Sequence, residues 1–306
     1  MPLDTRRFTG PEDSVPYQFY TKNYIRKHEE ISKELLNNVN KRKDGRALDE
    51  AGSMAFPFFI THFHQAKGSA YIELRDTKVI CSVFDPREIP QQNEFSHQGE
   101  LNCEVRYAPF SCPGQRRPLA PEEDEKALSV ALRQALEPAV CRYKFANYQV
   151  DIFVYIIEND GSCLAAAINA AGLALADAAV PMYDLITAST IAVSEKRYFT
   201  DPTEAEEFVA LAGSSNSDHG VVTLALLPDI DQVTHFNVIG SMDNTIVTDI
   251  MDTLILECKS MLPAIKKCIL KYVQESFERK NEVELLDRDR NEVLDRKLGE
   301  WKNKLN

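Results

Sequence analysis

The stretch from residue 148 to residue 177 constrains the fold more than any other part of the chain. Tyr148 to Glu158, YQVDIFVYIIE, is a β-branched and aromatic run of strand character. It passes through Asn159-Asp160-Gly161-Ser162 directly into CLAAAINAAGLALADAA, a helical stretch with small residues on every side. A helix with no polar face has to be covered all round, and small side chains let it come close to both a sheet and a neighbouring helix. The expectation is a strand feeding a buried helix through a tight turn, with the rest of the chain packed around that pair.

The flanking segments supply the covering layers. FPFFITHFHQAKGSAYIELRDTKVICSVF, from Ala55, holds two or three strands with turns at Ala66-Lys67-Gly68-Ser69 and Arg75-Asp76-Thr77. Residues 99 to 110 read as a further strand, and these runs predict an antiparallel sheet. In KALSVALRQALEPAV, the pairs Ala127/Leu128, Ala131/Leu132, Ala135/Leu136 and Ala139/Val140 recur at helical spacing, so this helix packs on the sheet. Glu122, Glu123, Asp124 and Glu125 load its first turn with negative charge, which suits the helix dipole and repels an anion there. After Pro181, strands are expected over 185–193, 221–227 and 235–238. A long helix is expected over 246–277, bent or interrupted where Pro263 lacks a backbone donor. The order predicts an α+β fold: a doubled β-α unit with antiparallel or mixed sheets packed against helices.

Three segments follow: a mobile N-terminal arm over 1–43 with one short helix near 24–36, a core over 44–275 in two sub-parts (about 44–195 and 196–275), and a charged helical tail over 276–306. The tail is net neutral and carries Glu284/Arg288, Glu292/Arg296 and Glu300/Lys304 at i,i+4. Leu294, Leu298, Trp301 and Leu305 form one narrow stripe on it, which either meets a partner or folds back on its own domain. Residues 1–275 therefore carry the whole net charge of −12, from 35 Lys and Arg against 47 Asp and Glu in the chain. That balance disfavours a free-standing protein that wraps duplex phosphate.

No stretch is apolar and long enough for a membrane span, and no basic-then-apolar opening indicates secretion. Seven cysteines without a C-x-x-C pair fit reduced thiols rather than a zinc site or a disulfide framework. His62 and His64 share a face of a strand, but no third ligand lies near them, so no metal and no cofactor is expected. Arg87 and Arg106 near strand ends either meet a phosphate ligand or pair with Glu88- or Glu104-type carboxylates. Arg116 and Arg117 in a Pro/Gly loop, with Arg142 and Lys144 after the first core helix, are the best candidate cations for phosphate contact, against a solvated-loop alternative.

Several stretches in this order resemble the RNase PH family. They are Lys43-Asp44-Gly45-Arg46 with Leu48-Asp49, GSAYIELRDTKVICSVFDPRE (68 to 88), CEVRYAPFS (103 to 111), ALEPAV (135 to 140) and NDGSCLAAAINAAGLALADAAVPMYDL (159 to 185). Through VPMYDL and Thr200-Asp201-Pro202-Thr203 followed by Glu206-Glu207, the likeness within the family is to the Mtr-type, non-catalytic subunits of the eukaryotic RNA exosome. The resemblance implies a ribosomal-S5-like fold. It also implies a place in a hetero-hexameric ring of RNase PH-like subunits under S1/KH-type caps, weak or complex-borne contact with single-stranded RNA, and residence in nucleus, nucleolus and cytoplasm.

Active members of the family are phosphorolytic: orthophosphate attacks the terminal phosphodiester and releases a nucleoside diphosphate. Such a site needs cations and backbone donors for the attacking dianion, and a carboxylate for acid or metal work. The turn at Asp160-Gly161-Ser162-Cys163 is expected to offer free N–H groups as an anion cradle. The resemblance, however, sets Ser162, Cys163 and Leu164 where active members carry a Gly-Thr/Ser-Arg-like set, and Glu123 and Asp124 where they carry arginines. Asp201 stands near an expected first carboxylate, while Gly220 or Val221 takes the place of the second, with Asp218 close by. Cys163 at a helix start is expected to have a lowered thiol pKa but has no evident partner base. The resulting expectation is a silent ring subunit. The alternatives are an active phosphate-dependent 3′-5′ exoribonuclease and a lone RNA-binding adaptor.

Overall fold

A computed structural model describes residues 42, 65–89, 96–112, 117, 122–194, 197–211 and 218–305 of the chain. The first unit, residues 1–262, contains two sheets. One is built from β1 (Gly68–Leu74), β2 (Thr77–Val83), β3 (Arg87–Glu88), β4 (Glu100–Tyr107) and β5 (Tyr148–Glu158). β5 pairs antiparallel with β2 and β3, and parallel with β4. The sheet is therefore mixed where the first reading of its strands made it antiparallel. A crossover explains the difference: helix α1 (Glu123–Leu136) intervenes between β4 and β5, which returns the chain in the same direction. The second sheet runs β7-β6-β8-β9, all antiparallel, from β6 (Thr187–Ser194), β7 (Arg197–Thr200), β8 (His219–Leu227) and β9 (Gln232–Ser241).

Helix α2 (Cys163–Asp177) contacts β1, β2 and β5 of the first sheet and β6 and β8 of the second. It is thus enclosed from both sides, and every residue from Cys163 to Leu175 is buried. Its small side chains set the spacing. A Cβ on Gly172 would lie 2.6 Å from Ile186 Cγ2, so that approach to the β6 lead-in needs glycine. Asn169 is the one polar side chain of the helix interior and replaces a ladder partner for β6: its Oδ1 accepts the Ala188 N–H at 2.7 Å and its Nδ2 donates to the Ala188 carbonyl at 2.9 Å. The buried polar group is fully paired, as its position requires.

Helix α3 (Glu204–Leu211) lies against β6 and β8, with Ala210 in a small cluster with Ala192, Phe199 and Val221. Ile250, Leu254 and Cys258 of α4 (Asn244–Leu305) pack on Ile191, Val193, Val222, Leu224 and Leu226. α4 continues through Pro263 without a break, so the interruption expected there does not occur and the local loss is a single N–H donor. The second unit, Pro263–Asn306, begins inside this helix. It carries exposed Leu270, Val273, Phe277, Leu286 and Leu294; the side chains of Leu298, Trp301 and Leu305, the rest of the expected stripe, lie outside the described residues. Arg42, which sequence reasoning placed in the arm, is buried. Among the described residues no helix is long and apolar enough to cross a membrane.

Candidate functional site

The turn from β5 into α2 is fixed by backbone conformation. Gly161 has φ +98°, and a Cβ there would meet the Pro202 carbonyl oxygen at 2.4 Å. Ser162 follows in the left-handed region at φ 52°. The start of α2 is thereby set beside the start of α3, where the Glu204 N–H donates to the Asp160 carbonyl at 2.8 Å.

The Asp160, Gly161 and Ser162 amides of the turn each have a partner within the chain. The Asp160 N–H donates to Thr77 Oγ1 at 2.9 Å, and the same hydroxyl donates to the Gly161 carbonyl at 2.9 Å. The Gly161 N–H donates to Asn159 Oδ1 at 3.1 Å. The Ser162 N–H donates to Glu207 Oε1 at 2.7 Å. This corrects the expectation of a cradle with free donors: a carboxylate of the chain itself sits at the α2 start, where the dipole favours an anion.

The surroundings are acidic. Burial pushes the Glu207 carboxyl up to about 7 against the pull of the Ser162 N–H, with Asp201, Glu204 and Asp160 adding repulsion. Glu204 is also raised, chiefly by burial and then by Asp160, while Arg117 opposes the shift. Glu206 is buried; its Oε2 accepts the Thr203 N–H at 2.9 Å, the return half of a capping box at the α3 start, and its Oε1 lies 3.8 Å from Arg42 Nε. The Cys163 thiol is pushed well up, not down: burial dominates, Glu207 adds to it, and the thiol donates to Asn159 Oδ1 at 2.6 Å. The helix-start effect expected for that thiol is overridden by desolvation.

Of the residues singled out from sequence, Ser162, Cys163 and Asp201 are brought together around this turn. Asp201 adopts φ 49° and its N–H donates to the Thr190 carbonyl at 3.0 Å. Leu164 is buried in α2. Glu123 and Asp124 lie on the exposed first turn of α1; the carboxylates that act on the α2 start are Asp160, Asp201, Glu204 and Glu207. Asp218 immediately precedes β8, and its Oδ1 accepts the Asp243 N–H at 3.0 Å, ahead of α4.

Of the candidate cations among the described residues, only Arg117 lies near the α2 start, where it acts on Glu204 and Cys163, and it is already engaged within the chain. Arg117 lies over the Tyr107 ring at 4.1 Å, donates to Cys112 Sγ at 3.2 Å and pairs with Glu122 at 3.0 Å, so it is held in place rather than waving in a solvated loop. Arg142 pairs with Glu137 at 3.5 Å, and Lys144 is exposed on the same short turn, Arg142–Phe145. That turn precedes β5 while the α2 start follows it, so an eleven-residue strand of roughly 35 Å separates the two groups. Arg106 pairs with Glu104 at 2.7 Å, and Arg87 pairs with Asp151 at 2.6 Å instead of Glu88. Arg116, His62 and His64 lie outside the described residues. Among the described residues no group of three His, Cys, Asp or Glu side chains is arranged to hold a metal ion.

Sequence reasoning named Asn159 in the turn but missed Thr77 and Glu207 as its partners. The Thr203-x-x-Glu206 spacing gave a legible signal for the α3 start. Nothing local marked the pairing of Glu207 with Ser162, since 45 residues separate them.

Comparison with known proteins places this architecture. The model for RNase_PH, the 3′ exoribonuclease family, domain 1, matches residues 58–181. The mouse (Mus musculus) protein called exosome complex component MTR3 is 32% identical over 289 residues, covering 89% of this chain and 96% of the relative. The exosome complex component Rrp41 of the archaeon Cenarchaeum symbiosum is 30% identical over 236 residues, covering 77% and 93%. A solved structure, the Archaeoglobus fulgidus exosome with RNA bound to the active site, superposes with a TM-score of 0.67 at 21% identity, covering 78% of this chain and 98% of that one, which establishes the shared fold. With identity of this level running nearly end to end through such relatives, on the same two-sheet fold, the chain belongs to the RNase PH family.

Proposed function

We propose that this protein is a non-catalytic subunit of an RNA exosome ring, pairing with other RNase PH-like subunits and helping to form the channel that leads RNA to a nuclease on another chain. The observation that carries the reading is the Glu207 carboxylate on the Ser162 N–H at 2.7 Å, with the Asp160 and Gly161 amides also taken. Orthophosphate entering there would have to displace an internal carboxylate and sit among Asp160, Asp201 and Glu204. Two like charges 4 Å apart repel by about 4 kcal/mol at an effective dielectric near 20.

Similarity to the mouse MTR3 component along most of its length supports the ring role and, with it, work in 3′-5′ RNA processing and degradation. The ring is hetero-hexameric with S1/KH-type subunits capping it, and RNA contact is weak or made through the complex, with Arg116, Arg117, Arg142 and Lys144 as its candidate cations. Residence follows the complex: nucleus, nucleolus and cytoplasm.

The test incubates the purified chain with single-stranded RNA and orthophosphate. No nucleoside diphosphate is expected, and RNase PH-like neighbours are expected in the complex isolated through this chain. Diphosphate release that survives removal of contaminating nucleases, and is lost in Asp201→Ala, would overturn the reading.

A further inference from the structure

β9 is the last strand of the second sheet, bonded to β8 on one side. Among the described residues no strand occupies its other side. The opposite edge of that sheet, β7, is only four residues long, whereas β9 has ten. Within the described residues, a row of main-chain N–H and C=O groups about 30 Å long has no strand beside it.

Proteins usually defend such an edge with lysine, glutamate, proline or a covering element. The strand QVTHFNVIGS has no charged residue and no proline, in a chain that is 27% Asp, Glu, Lys and Arg. Its side chains are apolar where they are open: Val233 is 42% exposed, Phe236 36%, Val238 38% and Ile239 52%. These lie on both faces of the strand. Phe236 and Val238 are in register with Leu224 and Val222, on the side where α4 packs, while Ile239 is in register with Val221 on the other. The edge is therefore uncharged and apolar on the α4 side, while Ile239 shares the other side with His235 and Asn237, and α1 contacts the strand.

We infer that β9 is an assembly edge that takes an extended, uncharged segment of a neighbouring RNase PH-like subunit; the occupant rests on the function proposed above. The complementarity is one of charge. A nucleic acid needs cations, and this strand has none. A helix would cover the apolar side chains but leave the ten-residue main-chain edge unpaired, whereas a strand satisfies both. The low charge also matches the composition of interface centres, which are depleted in charged residues.

The experiment is hydrogen–deuterium exchange on the full chain, free and in the complex isolated through it. The expected result is that the amides of 232–241 exchange at least tenfold more slowly in the complex, while exposed parts of α4 change little. Val238→Lys combined with Ile239→Lys should weaken association with the RNase PH-like subunits at least tenfold and leave the melting temperature of the free chain nearly unchanged. Leu256→Lys, at an exposed position of α4, serves as the control for added charge. A complex that contains RNase PH-like subunits but leaves β9 exchanging as in the free chain would overturn the edge while sparing the ring role. Absence of any such subunit from the complex would overturn both. Protection of β9 in the chain alone at rising concentration, or on adding a single-stranded oligonucleotide, would also overturn the proposal by naming a different occupant.

Discussion

Glu207 Oε1 accepts the Ser162 N–H at 2.7 Å, so the start of α2 is neutralised from within the protein. The carboxylate is held there despite a surrounding group of acids, and that conflict sets its titration. Burial opposes ionisation in the folded chain, while the unfolded chain ionises near the ordinary value of 4.5.

Because the folded pKa is the higher one, this group favours folding below pH 4.5, and its contribution is lost as pH rises through about 7. Glu207→Gln keeps an oxygen for Ser162 but cannot ionise. It should therefore match the parent protein near pH 4.5 and exceed it at pH 8 by about 2 kcal/mol, after discounting for the part of the side chain still open to water. Urea unfolding across that range measures the difference; a Gln variant no more stable than the parent at pH 8 would show that the carboxylate is not held against its preference.

Thr77 links β2 to the turn by accepting from Asp160 and donating to Gly161. Thr77→Val keeps the shape and removes both bonds, leaving the Asp160 N–H without its acceptor. A loss of about 2 kcal/mol is expected in chemical denaturation.

Asn169 pairs with both main-chain groups of Ala188 inside the closed core. Asn169→Ala strands a buried N–H and a buried C=O together, so its cost should exceed that of the Thr77 change, at about 3 kcal/mol. Comparing the two variants by thermal unfolding tests the order.

Cys163 has a raised thiol pKa from burial and from Glu207. A thiol reagent at pH 8 should modify it about a hundredfold more slowly in the native chain than in urea. Rapid native labelling, located by peptide mass, would mean that the α2 start is open and that its dipole acts on the sulfur after all.

Local patterns carried most of the fold. The β5 run and the small-residue helix after it appear within two residues of their expected bounds, because β-branched composition marks the strand and an unbroken small apolar run marks the buried helix. Pairing direction leaves none, which is why nothing in the sequence announces the parallel β4–β5 ladder. The long helix and the helical tail, expected as two pieces over 246–277 and 276–306, are one helix, and the single donor missing at Pro263 does not end it. At the site, Ser162, Cys163 and Asp201 could be found from motif positions, but the carboxylate that occupies the turn comes from another helix. The cations proved equally opaque. Arg117 and Arg142 are conspicuous in sequence, while their partners Glu122 and Glu137 announce nothing until the chain folds.

Helix α2 has a sheet on either side and no exposed residue between Cys163 and Leu175. A rod clamped in this way has no room to roll, slide or tilt unless the two sheets separate first. Motion in an assembly built from such blocks must then fall at the joints between them, and each block acts mechanically as a stiff spacer of fixed width.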